Sequence, residues 1–134
     1  MALEWIEARP LAELDASALP EGWATRAAAI LDGLHSNGVA LGDLHHRDLL
    51  IDAAGDVYLI DLATAWVSGS RPGPLRRGIF RRLCELDRLA LARMRARADG
   101  EDPEQVVERD GSRAAVWHRR GRRVRRMLRR LGLR

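Results

Sequence analysis

Residues 39–65, VALGDLHHRDLLIDAAGDVYLIDLATA, decide the fold. Two short apolar runs, Leu49-Leu50-Ile51 and Val57-Tyr58-Leu59-Ile60, flank the turn-forming Asp52-Ala53-Ala54-Gly55-Asp56. Apolar and β-branched residues on both sides of a glycine-containing turn predict a β-hairpin. Hairpin geometry then brings Asp48, just before the first arm, near Asp61, just after the second. Asp43 lies on the loop that enters the hairpin. Aspartate favours turns, so any one of the three taken alone reads equally well as a turn residue.

On the N-terminal side, residues 22–35 repeat Trp23, Ala27, Ile30, Leu31 and Leu34 at three- and four-residue steps, the pattern of a helix with one buried face. Asn37-Gly38 ends it as a left-handed cap. Residues 3–7, LEWIE, alternate like an extended segment, and Arg9-Pro10 sets a boundary because the residue before proline avoids helix. Pro10 opens a short helix over 10–15.

Beyond the hairpin, residues 68–74 are a Gly/Ser/Pro loop. A long helix follows over 75–98, with Leu75, Ile79, Leu83, Leu86, Ala90 and Met94 on one stripe, and a short one over 103–109. The tail over 112–134 spaces Val116, Trp117, Val124, Met127, Leu128 and Leu131 helically among ten arginines. The fold class expected is α+β, mainly α: a single helical domain over 1–134 with one β-hairpin.

Composition narrows the function classes. One cysteine, Cys84, excludes an internal disulfide and fits a reducing compartment, with cytoplasm the default. No run of about 18 apolar residues exists to span a bilayer, and the N-terminus shows no secretory pattern. Residues 1–68 hold 3 Arg against 11 Asp and Glu, a balance of −8. Residues 69–134 hold 20 Arg against 8, a balance of +12. The basic half suits phosphates, an acidic protein or an anionic lipid surface, and otherwise reads as a solvated helix face. It contains no sequence-specific nucleic-acid motif. All 23 basic residues are arginine.

Three carboxylates on a loop and hairpin match what phosphoryl transfer needs: a base to orient the incoming hydroxyl, and oxygen ligands for magnesium. At this point the chain resembles the protein-kinase-like superfamily. The matching residues are Gly42-Asp43-Leu44-His45 with Asp48, then Leu59-Ile60-Asp61-Leu62-Ala63. In that superfamily a catalytic Asp is followed about five residues later by Asn and about eighteen later by a metal-binding Asp. Asp48 and Asp61 stand five and eighteen residues after Asp43. The wording looks closest to the RIO and lipopolysaccharide-kinase-like branch, and the match covers residues 3–66.

The resemblance implies Asp43 as catalytic base, Asp48 and Asp61 as magnesium ligands, and ATP with Mg2+ as cofactors. His45 then orients the loop. Residues 3–11 look like a kinase hinge, with Glu4, Trp5 and Ile6 at the adenine. His46-Arg47-Asp48 spells a second familiar kinase string, but from Asp48 the Asn position falls on Ala53 and Asp61 is only thirteen away.

The departures are Asp48 in place of Asn, Leu62-Ala63 in place of Phe-Gly, and the absence of a glycine-rich lobe and of any lysine. The expectation is a truncated kinase-like phosphotransferase, C-terminal lobe only, weak or dependent on a partner or homo-oligomer that completes the nucleotide site. The alternative is an inactive pseudokinase acting as a binding module. A further alternative is a basic protein of nucleic acid or the membrane surface.

Overall fold

The computed structural model describes residues 6–63, 65–69 and 73–109. Glu4, Trp5 and the basic tail over 112–134 lie outside the described residues.

The expected hairpin is present. Strand β3 (Leu49–Asp52) pairs antiparallel with β4 (Val57–Leu59), Leu49 opposite Leu59 and Ile51 opposite Val57. The Asp52 carboxylate builds the turn: Oδ1 accepts the Asp56 N–H at 2.8 Å and Oδ2 accepts the Tyr58 hydroxyl at 3.0 Å. Partial burial alone would raise this carboxyl, but the donors from Asp56, Tyr58, Ala54 and Gly55 outweigh it and hold the group below the ordinary carboxylate range.

The structure adds two pairings that the sequence pattern does not announce. Strand β1 (Ala8–Pro10) lies antiparallel on the outer edge of β3, giving the order β1-β3-β4. Pro10, which lacks an N–H, stands at the end of an edge strand, where proline is tolerated. Strands β2 (Val39–Ala40) and β5 (Trp66–Val67) form a second antiparallel pair. The segment that looked like a hinge is thus partly sheet, followed by a 3-10 turn at Leu11–Glu13 where a short helix was expected.

Helix α1 (Trp23–Ser36) buries Trp23, Ala27, Leu31 and His35, a strict four-residue stripe whose fourth member is a histidine. Asn37 and Gly38 end it, Gly38 with φ of 75°. A Cβ on Gly38 would stand 2.5 Å from Ser68 Oγ, so both the backbone angle and the close approach of Ser68 favour glycine there.

Helix α2 (Pro74–Ala98) departs from its expected stripe. Leu75 is 76% exposed and Ile79 is also exposed, whereas Cys84, Asp87, Leu89, Leu91 and Ala96 are buried. At 25 residues the helix runs about 37 Å, far longer than α1, so its first turns extend past the core. Its second half is covered on two sides. Leu91 joins the main core of Leu11, Trp23, Ala27, Leu31, Leu44, Leu49, Ile51 and Val57. Leu89, backed by Leu86, packs on Val107 of α3 (Pro103–Arg109). Two covered faces erase a single-stripe pattern.

The result is mainly helical, with α1 and the second half of α2 packed around a small sheet. Among the described residues, no helix is long and apolar enough to cross a membrane.

Candidate phosphate-transfer site

The loop between β2 and β3 is fixed by an alternation written in Gly42-Asp43-Leu44-His45. Leu44 is buried in the main core, while its neighbours Asp43 and His45 are exposed. Burying one leucine contributes about 2 kcal/mol, enough to anchor a short loop. The Asp43 side chain is 83% exposed.

A second anchor comes from α2. Asp87 is completely buried, yet each of its oxygens is used. Oδ1 accepts the Gly42 N–H at 2.6 Å, and Oδ2 accepts the Leu41 N–H at 2.9 Å. His35 Nε2 lies 2.9 Å from the same Oδ2, so the ring donates from Nε2. Its Nδ1 is buried with no hydrogen-bond partner among the described residues. A buried carboxylate survives only when donors surround it, and here three converge. Gly42 also needs its lack of side chain: φ is 77°, and a Cβ would meet Leu83 Cδ2 at 2.7 Å.

His45 links two of the three candidate aspartates, Asp43 and Asp48. Its Nε2 lies 3.4 Å from Asp43 Oδ1, and its backbone N–H donates to Asp48 Oδ2 at 2.8 Å. The Asp48 carbonyl accepts the Ile60 N–H at 2.8 Å, continuing the hairpin ladder by one rung. That rung sets Asp48 beside the residue that precedes Asp61, the adjacency expected of the hairpin's open end. The expected loop-orienting role of His45 has a geometric basis in these contacts. The His45–Asp43 contact is solvent-exposed and contributes no more than about 1 kcal/mol.

Asp61 has φ of 62°, the one non-glycine residue among the described residues with positive φ. Asp tolerates this conformation better than most residues, helped by an Asx-type bond from the Ala63 N–H to Oδ1 at 3.3 Å. It is nonetheless a strained position, of the kind that gathers at functional sites.

Among the described residues, no three His, Cys, Asp or Glu side chains stand close enough to form a ready metal cage. The donor chemistry is still that of a hard cation. One oxygen each of Asp43, Asp48 and Asp61 accepts no hydrogen bond among the described residues. Ile6, the described member of the hinge-like trio, is exposed just before β1. Since β1 lies against β3, with β4 on the far side, the hinge-like segment flanks the hairpin at the edge away from β4.

Sequence reasoning missed Asp87 and His35. The signal was present: Asp87 falls between Cys84 and Leu91 at three- and four-residue steps, an acid on an otherwise apolar helical stripe. His35 likewise continues the Trp23-Ala27-Leu31 stripe.

In comparisons with protein-family models, with curated proteins and with solved structures, nothing matches this chain.

Proposed function

We propose that the loop over 42–48 and the turn over 60–63 form a phosphotransferase-type site of the protein-kinase-like kind, using ATP and magnesium. The observation that carries this reading is the strained, exposed Asp61 at the hairpin end, joined to Asp43 by the Asp48–His45 chain of contacts. Asp43 is the group that accepts the proton of the incoming hydroxyl, and His45 holds its orientation. Asp48 and Asp61 are the residues that would hold magnesium. Magnesium keeps several waters and takes substrate phosphates as ligands, so two carboxylates with free oxygens suit it without a full cage. When bound, the ion neutralises phosphate charge.

These 134 residues contain no lysine, so any side-chain cation they offer to the α and β phosphates is an arginine. Activity of this chain alone is therefore weak or dependent on a partner or a second copy. The same observation favours a second reading, a pseudokinase-like binding module that has kept the carboxylates without turnover. Phosphate release from ATP with magnesium separates the two. Release that falls at least about 100-fold in Asp43→Ala and in Asp61→Ala supports the enzyme. Release that is the same in both variants as in wild type removes it.

A further inference from the structure

The face that carries the three aspartates is short of cations. Residues 42–48 and 60–63 hold Asp43, Asp48 and Asp61 against one arginine, Arg47. None of the three pairs with an arginine among the described residues.

The cations lie elsewhere. Residues 6–63 carry 3 Arg against 10 Asp and Glu, whereas residues 74–82, the opening of α2, carry 4 Arg and no acid. Arg77 and Arg81, one helical turn apart, are exposed and form no ion pair among the described residues. They border a cleft of about 770 Å3 that is also walled by Asp32, Ser36, Ser68 and Arg88. No residue of 42–63 lines that cleft, so within one copy these two arginines and the three aspartates do not share a pocket.

Both regions also expose apolar side chains. Ile60 and Leu62, on either side of Asp61, are exposed. So are Leu75 and Ile79, a turn apart among the arginines of α2. A lone exposed hydrophobic group asks for no partner, but here each of two regions combines a pair of them with one sign of charge. Opposite charges draw such surfaces together and set their orientation, and like charges oppose the pairing of either surface with itself.

We propose that a second copy of this chain is the partner: the face over 42–48 and 60–63 of one copy docks on the opening of α2 of the other, bringing Arg77 and Arg81 toward the three aspartates. Every copy carries both surfaces, so two copies make the contact twice, or successive copies join head to tail. On the reading above, the two arginines supply the phosphate-holding charge that the carboxylate face lacks. That role rests on the proposed function; the docking rests on charge and exposed surface alone.

Sedimentation equilibrium of the full chain, without nucleotide or magnesium, tests the docking at up to about 200 μM. The wild-type chain self-associates, and raising salt from about 0.05 to 0.5 M weakens the association at least about tenfold. Two double variants reverse the charge of one surface each: Arg77→Glu with Arg81→Glu, and Asp43→Arg with Asp61→Asn. Asparagine tolerates the left-handed backbone of Asp61, and the other positions are exposed, so both variants keep the wild-type unfolding midpoint. Each variant alone is monomeric. An equimolar mixture of the two associates again, because every contact in it joins opposite charges. Where a double variant lowers the midpoint, Arg81→Glu and Asp43→Arg as single variants show the same pattern with smaller losses. A wild-type chain that stays monomeric at about 200 μM, a variant that associates alone as wild type does, or a mixture that stays monomeric would overturn the proposal. Association without phosphate release keeps this contact and removes the catalytic reading; a monomer that releases phosphate does the reverse.

Discussion

Replacing Asp87 by Asn is the sharpest perturbation of the architecture described above. The carboxylate is fully buried and receives three donors, the N–H groups of Leu41 and Gly42 and Nε2 of His35. Asparagine offers one acceptor oxygen and one NH2. Whichever way the amide turns, its NH2 faces a backbone N–H, either Gly42 at the Oδ1 position or Leu41 at the Oδ2 position. One charge-assisted bond, worth about 1.5–3 kcal/mol, is lost, and a buried donor is left unpaired at about 1–3 kcal/mol. Relief of the buried charge offsets part of this, leaving about 3 kcal/mol. Since small domains are stable by about 5–15 kcal/mol, the variant folds but with a visibly lower urea midpoint. Urea unfolding at constant slope measures the loss. Hydrogen exchange locates it, because the Leu41 and Gly42 amides lose protection before the helix amides do. A double-mutant cycle with His35→Ala gives a coupling of about 0.5–3 kcal/mol. A loss below about 1 kcal/mol, with Leu41 and Gly42 still protected, would mean that Asp87 does not anchor this loop.

Other outcomes follow from single features. Gly42→Ala forces a Cβ into the left-handed region and toward Leu83, so it destabilises by at least about 1–2 kcal/mol by urea unfolding. Leu44→Ala leaves a cavity beneath the Asp43 loop and costs about 2–5 kcal/mol in the same assay. The Asp52 carboxyl is held below its ordinary value of 3.8, so its contribution is present above that pH and lost as pH falls through the folded value. In acid titrations followed by circular dichroism, Asp52→Asn is less stable than wild type at neutral pH, and the gap closes as pH falls from 3.8 through the folded value. Burial raises the Cys84 thiol above 9.0, helped by the nearby Asp87 charge and opposed by Arg88. The unfolded thiol ionises first, so stability falls as pH rises past about 9 toward the folded value, and Cys84→Ala removes that part of the alkaline decline.

The elements that sequence patterns exposed are those whose burial is one-sided. The α1 stripe and the hairpin arms each present one face to one core, so their periodicity is clean. Helix α2 is covered by the main core on one side and by Val107 on another, and its first turns are exposed all round, so its apolar residues carry no single period. Strands β1, β2 and β5 are two or three residues long, too short for alternation to show. At the candidate site, spacing alone marked Asp43, Asp48 and Asp61. The group that fixes their loop was not visible, because Asp87 reaches it from 45 residues away through backbone N–H groups that every residue but proline has.

On the proposed function, the loop over 42–48 and the turn over 60–63 together hold a divalent cation with a nucleotide phosphate. Manganese, a paramagnetic substitute for magnesium, tests it in amide NMR spectra recorded with ATP. Broadening is expected selectively at residues 42–48 and 60–63, strongly reduced in Asp61→Asn while the rest of the spectrum keeps its dispersion. Broadening spread over other acidic positions such as Asp99 and Asp102, or broadening at 42–48 and 60–63 that Asp61→Asn leaves unchanged, would contradict it.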